Sequence, residues 1–368
     1  MDKTENDRSR ADDSTSPSKT LPRRNCGAAD FSLPVLGVGC FSFGGGAYWG
    51  AQSQQDVDAV VGRALELGAN FFDTAESYND GASEIALGRA LAGRRDRAIV
   101  GTKVRPDQAY ADVLPRRCEE SLKRLGTDHV DVYMLHWPLN PNAMRHYTED
   151  ASRLARPPTL EEALGAMDRL RREGKIRHIG ISNFGLRQME EALALGVPIA
   201  LNELAYNLLM RGIEAEVLPF CERRGLGILG YMSIFQGILS DKFASFDDLA
   251  PVRLRTRHFR GDRAGSRHGE PGVESEMMAT IEALRAEARG AGVSLPDLAL
   301  WWAVGEARIT CTLVGARNLQ QLEHNVDALR HRIDPALRTK LNAITGEVLR
   351  KLGPCLDYFQ NEKNSRSW

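Results

Sequence analysis

Four residues in the first half of the chain have side chains suited to the reduction of a carbonyl group: Asp73, Tyr78, Lys103 and His136. Hydride addition to a carbonyl creates an oxyanion that needs a proton, and a tyrosine hydroxyl can donate one. Because the pKa of a free tyrosine is about 10, a neighbouring ammonium is needed to favour the phenolate, and a carboxylate is needed to hold that ammonium. A histidine can then orient the substrate oxygen or relay the proton. These residue types favour nicotinamide-dependent carbonyl chemistry, with Tyr78 as the candidate acid.

Each of these residues, taken alone, also has a purely structural explanation. An aspartate that ends a strand is a favoured N-cap for the next helix. A histidine at a strand end can be satisfied by its neighbours, and a lysine is usually solvated at the surface. A joint catalytic role therefore depends on whether the fold brings the four side chains together.

The elements that would position them alternate between short apolar runs and longer amphipathic segments. Two helices carry clear start signals, Ser53 with Asp56 and Thr159 with Glu162. Such alternation predicts a parallel α/β sheet, and eight units favour closure into a (β/α)8 TIM barrel over an open sheet. The predicted strands are 33–39, 69–73, 98–103, 130–136, 178–182, 199–203, 227–231 and 312–314. The predicted helices are 54–67, 83–92, 111–125, 159–172, 186–195, 213–223, 274–289 and 318–329.

Polar residues end most of these predicted strands. Because the strands of a parallel barrel point their carboxyl ends to one face, side chains at those ends share a location. Several such residues in register predict a functional site, where a single one would mean little. They are Asp73, Lys103, His136, Ser182 with Asn183, Glu203 and Tyr231.

Composition and charge exclude several classes of function. The chain has 48 Lys and Arg against 49 Asp and Glu, so no overall positive field favours a nucleic acid. The six cysteines lack paired spacing, so we expect neither a disulfide framework nor a metal site. No apolar run approaches the ~18 to 20 residues needed to span a membrane, and the first residues lack an apolar signal segment. We therefore expect a cytoplasmic protein.

The chain reads as one globular domain with a tail at each end. Residues 1–30 have almost no large apolar side chains and are expected to form a disordered tail. Residues 31–350 are expected to form the barrel, and residues 351–368 a C-terminal tail.

The motifs around the four residues resemble those of the aldo-keto reductase superfamily. The segment that begins at Asp73 reads DTAESYNDGASE, and GTK, DVYMLHWP and GKIRHIGISNF follow in the family's order. The resemblance extends over residues 33–329. It implies an oxidoreductase in which Asp73, Tyr78, Lys103 and His136 form the catalytic tetrad and Tyr78 is the general acid. It also implies a small-molecule carbonyl or alcohol as substrate, and no metal.

The same resemblance implies a nicotinamide cofactor. Ser182 and Asn183 match the pair that binds the nicotinamide carboxamide, and Tyr231 falls where an aromatic ring stacks on the nicotinamide. Glu203 departs from the family, which usually has glutamine there. A carboxylate cannot donate the amide's hydrogen bond unless it is protonated, so we expect altered contact with the carboxamide or altered cofactor affinity.

The segment VGARNLQQLEHN resembles the family's adenosine-phosphate site. Gly315 would allow close backbone approach, and Arg317 could pair with a 2′-phosphate. Gln321 and Asn325 would face the adenosine, while His324 stands where many relatives have glutamate. We favour NADP as the cofactor, and NAD remains an alternative.

Several features leave alternatives open. Trp49 and Trp137, together with Tyr48, either line a substrate pocket or simply pack. A long arginine-rich segment at 240–271 is either a solvated loop or a flap over the cofactor pyrophosphate or an anionic substrate, and a second long segment lies at 140–158. The competing functions are a cofactor-binding regulatory subunit with slow residual reductase activity, and a lyase or isomerase barrel. The sequence specifies no oligomeric state.

Overall fold

Eight parallel strands close into a barrel in the computed structural model, which describes residues 20–331 and 333–368. Strands that are consecutive in the chain are neighbours in the barrel, and the last barrel strand, Cys311–Gly315, pairs with the first, Leu36–Gly39, to close it. The predicted (β/α)8 barrel is confirmed. The strands in the described residues are β1 Arg23–Asn25, β2 Ser32–Pro34, β3 Leu36–Gly39, β4 Phe71–Asp73, β5 Ile99–Val104, β6 Val130–Leu135, β7 Ile176–Ser182, β8 Ile199–Ala205, β9 Gly227–Tyr231 and β10 Cys311–Gly315.

The first two strands form an antiparallel hairpin outside the barrel. Cys26 and Leu33 are fully buried in one cluster with Phe71, Val132 and other side chains of the barrel strands, so the hairpin covers one end of the barrel. The expectation of a disordered tail over residues 1–30 is therefore wrong for residues 20–30. Residues 1–19 lie outside the described part of the chain.

Helices connect the barrel strands and cover their outer faces. The first helix begins at the N-cap Ser53, whose side chain accepts a hydrogen bond from the backbone N–H of Asp56, and ends at Gly68, where φ is 79°. Thr159 and Glu162 form the predicted reciprocal capping box. The helices in the described residues are α1 Gln54–Leu67, α2 Ala82–Ala90, α3 Leu114–Leu125, α4 Pro141–Met144, α5 Ala151–Ala155, α6 Leu160–Arg172, α7 Leu186–Ala194, α8 Val217–Arg224, α9 Glu274–Gly290, α10 Leu295–Val304, α11 Leu319–Asp327, α12 Leu337–Ile344 and α13 Gly346–Leu352. No helix within the described residues is long and apolar enough to cross a membrane.

The strand register brings the carboxyl ends of the strands together. Asp73 at the end of β4 is paired with Gly101 in β5, and Ser182 at the end of β7 is paired with Glu203 in β8. Tyr231 ends β9 opposite Ala205. One face of the barrel therefore carries the polar residues that the sequence placed at strand ends.

Two long connections and the end of the chain lie beside this face. The connection after β6 contains the short helices α4 and α5, and the connection after β9 contains short 3₁₀ turns. The last residues dock on α7: the side chain of Gln188 donates to the carbonyl of Arg366 at 2.9 Å, and it accepts from the backbone N–H of Trp368 at 3.1 Å. The segment after α13 is thus packed on the barrel.

Candidate active site

A buried lysine and aspartate form the centre of the polar face. Lys103 on β5 is fully buried, and its Nζ donates to the two carboxylate oxygens of Asp73 at 2.6 and 2.7 Å and to the carbonyl of Thr74 at 3.1 Å. Burial alone would lower the pKa of Lys103, but the charges of Asp73 and Glu203 raise it well above its ordinary value. Lys103 therefore carries its positive charge at neutral pH.

Tyr78 lies directly beside this pair. Its hydroxyl is 3.4 Å from Nζ of Lys103, and it sits in a turn whose next residues, Asn79 and Asp80, have φ of 50° and 53°. The Asn79 side chain fixes the turn by donating to the carbonyls of Phe41 and Phe43, each at 3.0 Å. Burial raises the pKa of Tyr78, although the Lys103 charge opposes this effect. The hydroxyl is thus protonated at neutral pH.

His136 follows β6 and completes the predicted cluster. Its ring centroid lies 5.6 Å from that of Tyr78, and its Nδ1 is 3.4 Å from the hydroxyl of Ser77. Burial, followed by the Lys103 charge, lowers the pKa of His136 well below its ordinary value. The imidazole is therefore neutral and able to donate one hydrogen bond and accept another. All four predicted catalytic residues lie together.

Glu203, which the sequence placed among the polar residues at the strand ends, lies beside Lys103 in the same cluster. Its Oε2 lies 3.3 Å from Nζ of Lys103, yet it forms no hydrogen bond within the described residues. Burial and the nearby charge of Asp73 raise the pKa of Glu203 to about 8, although Lys103 opposes the shift. A large fraction of Glu203 is therefore protonated at neutral pH, and a protonated carboxyl can donate a hydrogen bond.

Ser182, Asn183 and Tyr231 form a connected group beside Glu203. The Asn183 side chain donates to the carbonyl of His136 at 3.1 Å and accepts from the hydroxyl of Tyr231 at 2.8 Å. The Ser182 hydroxyl donates to the carbonyl of Glu203 at 3.1 Å. Asn183 adopts a left-handed φ of 64°, and these contacts hold it in that conformation. Its amide is thus fixed relative to the catalytic cluster.

The end of the chain contributes a buried ion pair that the sequence analysis missed. Arg366 binds both carboxylate oxygens of Asp357, at 2.6 and 2.7 Å, and its guanidinium carbon lies 3.6 Å from the ring centroid of Trp137. The hydroxyl of Ser367 donates to the carbonyl of Asn183. One face of Trp137 is therefore covered by Arg366. No local pattern predicts this arrangement, because its partners are far apart in sequence.

The candidate adenosine-phosphate residues lie around the end of β10 and the start of α11. The backbone N–H of Arg317 donates to the side chain of Gln321 at 2.9 Å, and the Asn325 side chain donates to the carbonyl of Gly315 at 3.2 Å. A Cβ added at Gly315 would have no heavy atom closer than 3.9 Å, so the backbone there is accessible. The Nε of Arg317 is buried without a hydrogen-bond partner in the described residues. A guanidinium donor beside a helix N-terminus fits an anionic phosphate.

His324 does not join this group. Its Nε2 lies 2.9 Å from a carboxylate oxygen of Asp297 in α10. The departure from the family at this position therefore places the imidazole in close contact with a carboxylate of a neighbouring helix.

Trp49 belongs to a chain of aromatic rings that begins at Tyr78. Phe41 lies 4.8 Å from Tyr78 and 5.3 Å from Tyr48, and Tyr48 lies 4.8 Å from Trp49, measured between ring centroids. The hydroxyl of Tyr48 donates to the side chain of Gln236 at 2.7 Å. Trp49 thus lies at the end of an aromatic wall leading to the cluster, without a direct contact to it.

A model of the aldo/keto reductase family matches residues 35–345. The chain belongs to the aldo/keto reductase family. The superfamily predicted from the motifs is confirmed, and the matched residues include every candidate site residue named above except those of the C-terminal segment.

Known members of the family resemble the chain over much of its length. It is 35% identical over 212 residues to methylglyoxal reductase YeaE of Escherichia coli, and the matched region covers 57% of this chain and 67% of the relative. It is 28% identical over 335 residues to the NADH-specific methylglyoxal reductase of Escherichia coli, covering 84% of this chain and 94% of the relative. An aldo/keto reductase from Klebsiella pneumoniae, solved with NADP and acetate, superimposes with a TM-score of 0.62 at 26% identity over 89% of this chain and 95% of that one.

Proposed function

We propose that this chain catalyses reversible hydride transfer between a nicotinamide dinucleotide and an aldehyde, ketone or sugar carbonyl, with Tyr78 as the general acid and base. The observation that carries the proposal is the hydroxyl of Tyr78 at 3.4 Å from the buried ammonium of Lys103. Relatives named as methylglyoxal reductases support the same class of reaction.

Each member of the cluster has a part in moving one proton. Tyr78 is protonated because burial raises its pKa, so in reduction it can donate to the oxygen that becomes negative. The phenolate that remains is stabilised by the Lys103 ammonium, which Asp73 holds at 2.6 Å. Neutral His136 donates a hydrogen bond to the substrate oxygen and orients it toward the Tyr78 hydroxyl.

The residues present fit a nicotinamide dinucleotide. Ser182 and Asn183 would hold the carboxamide, Glu203 in its protonated form would add a hydrogen bond, and the ring of Tyr231 would pack on the nicotinamide. Arg317 and the accessible backbone at Gly315 would bind the adenosine phosphate, with Gln321 and Asn325 near the adenosine. When bound, the reduced nicotinamide supplies the hydride.

The guanidinium of Arg317 donates from Nη2 to the carbonyl of Ala51 at 2.6 Å, and its Nε has no hydrogen-bond partner within the described residues. This free donor favours NADP, since a 2′-phosphate can pair with it. NAD remains the alternative, because one relative is named NADH-specific.

The substitution Tyr78→Phe tests the acid role. Removing the hydroxyl should lower kcat with an aldehyde by a factor of about 10² to 10⁴, while dinucleotide binding measured by fluorescence stays unchanged. Tyr110→Phe is the matched control, because the partners of that hydroxyl in the described part of the chain are backbone carbonyls, those of Arg153 and Arg156. Full turnover in Tyr78→Phe would refute the proposal. Tight cofactor binding with slow wild-type turnover would favour the regulatory subunit instead.

A further inference from the structure

The connection between β9 and α9 contains arginines of two kinds. Three of them are held by carboxylates, and three have no carboxylate partner within the described residues. The paired arginines are Arg257 with Glu270, Arg260 with Asp262, and Arg263 with Glu274 and Asp247. The other three, here called the mouth arginines, are Arg253, Arg255 and Arg267.

The first mouth arginine lies at the end of the aromatic wall that begins at Tyr78. The guanidinium carbon of Arg253 is 5.9 Å from the ring centroid of Trp49. The indole Nε1 of Trp49 is buried and has no hydrogen-bond partner within the described residues, so a polar donor is left unused at this position. A buried donor without a partner indicates room for an acceptor from outside the chain.

The third mouth arginine lies at the end of a second wall, which begins at His136. The Tyr147 ring is 6.2 Å from His136, and the His146 ring is 4.9 Å from Tyr147. The side-chain Nη1 of Arg267 is 3.1 Å from Nδ1 of His146. The two walls thus start at Tyr78 and His136, which the proposed function places at the substrate oxygen, and each ends at a mouth arginine.

The second mouth arginine, Arg255, lies within electrostatic range of both walls, and its Nε donates to the carbonyl of Val252 at 2.9 Å. The positive charge of Arg255 contributes to lowering the pKa of Tyr48 in the first wall and the pKa of His146 in the second. Burial, together with the charges of Arg366, Arg267 and Arg255, lowers the pKa of His146 to about 4 against the opposing charge of Asp357. His146 is therefore neutral at neutral pH and contributes no charge of its own at this position.

We propose that Arg255 and Arg267, with Arg253 beside Trp49, bind an oxyanion of the substrate, so that the enzyme acts on carbonyl compounds that carry a carboxylate or phosphate. This inference rests on the proposed function. Guanidinium groups form short, charge-assisted hydrogen bonds with both kinds of oxyanion. Arg105 and Arg366 also lie near Tyr147, but Asp107 and Asp357 already neutralise them. Within the described residues, the mouth arginines are the arginines of this connection that have no carboxylate partner.

A pair of matched aldehydes tests the inference. The anionic member is 4-formylbenzoate, and the neutral member is its methyl ester. The wild-type enzyme should have a kcat/KM at least tenfold higher for the anion, and the double variant Arg255→Gln/Arg267→Gln should lose this preference while it still reduces the ester. Arg260→Gln is the control in the same connection, because Arg260 is exposed and paired with Asp262.

The cofactor's own phosphates are the other oxyanions that could occupy the mouth arginines. If they do, the double variant weakens NADPH binding in a fluorescence titration and slows both aldehydes equally, and the inference is overturned. Equal wild-type kcat/KM values for the two aldehydes overturn it as well.

A binding measurement separates this inference from the proposed function. The His146 ring signal in an NMR titration, assigned by its loss in His146→Gln, reports the local charge without turnover. On addition of 4-formylbenzoate at neutral pH, where its carboxylate is ionised, the His146 signal should shift in the wild type and in Arg260→Gln, and should not change in the double variant. If neither aldehyde is reduced, the proposed function fails, and an unchanged His146 signal in the wild type would overturn the inference itself.

Discussion

The substitution Glu203→Gln replaces a buried titratable group with a neutral one of nearly equal shape. Burial and the charge of Asp73 raise the pKa of Glu203 from its ordinary value of 4.5 to about 8. The folded protein therefore binds a proton that the unfolded chain has already released above pH 4.5. The contribution of Glu203 to stability is fully present below that pH and is lost progressively as the pH rises to about 8.

The size of this effect follows from the two pKa values. At about 1.4 kcal/mol for each pKa unit, the difference between 4.5 and about 8 corresponds to about 5 kcal/mol. The part that falls between pH 6 and pH 8 is about 2 to 3 kcal/mol. In Glu203→Gln this part should disappear, so the variant should gain stability relative to the wild type as the pH rises.

Urea unfolding at pH 6 and pH 8 measures the effect. The quantity of interest is the change in the free energy of unfolding between the two pH values, compared between the wild type and Glu203→Gln. Glu190→Gln on the exposed side of α7 is the matched control and should behave as the wild type does. If the wild type and Glu203→Gln lose the same stability between pH 6 and pH 8, the assignment of the raised pKa to Glu203 is wrong.

The same substitution also tests the proposed cofactor contact. A protonated Glu203 can donate a hydrogen bond to the carboxamide, whereas the ionised form cannot. The wild-type dissociation constant for the dinucleotide should therefore rise between pH 7 and pH 9, by up to about tenfold. In Glu203→Gln it should stay nearly constant. A pH dependence that persists in the variant would mean that another group is responsible.

Two further substitutions test the C-terminal segment and the choice of cofactor. Arg366→Gln removes the ionic partner of the buried Asp357, which keeps its hydrogen bonds from the backbone N–H groups of residues 359 and 366. The free energy of unfolding should therefore fall by about 3 to 5 kcal/mol, and the double variant with Asp357→Asn should recover part of it. No loss of stability in urea unfolding would contradict a structural role. Arg317→Gln should weaken NADPH binding by at least about tenfold while NADH binding hardly changes, as measured by fluorescence titration, and an equal loss for both would show that the 2′-phosphate is not its partner.

The proximity of the proposed catalytic residues could be predicted because most of them are tied to strand ends. Asp73 and Lys103 lie in the last residues of their strands, and His136 follows directly after β6, so the parallel topology alone brings them to one face. The spacing from Asp73 to Tyr78 is short enough for one turn to place the hydroxyl beside the lysine. Periodicity and start signals likewise predicted α1 with its observed bounds.

Other elements have weaker local signals. The hairpin of β1 and β2 has strands of only three residues, too short for an alternating pattern, and its stability comes from burying Cys26 and Leu33 against the barrel interior. Helix α10 was missed although Ser294 and Asp297 form a capping box with a proline in the first turn, which was a readable signal. The docked C-terminal segment has no local sequence signal, because its position depends on contacts with residues far away in sequence.

The two departures from the family motifs have different consequences in the folded chain. Glu203 and His324 are equally visible in the sequence as replacements of usual residues. Glu203 lies 3.3 Å from Lys103, so its charge state is coupled to the proton-transfer cluster. His324 lies 2.9 Å from Asp297, so its ring is engaged with α10. A replaced motif residue therefore changes the chemistry only where its side chain reaches the reacting groups, and of these two replacements Glu203 meets that condition.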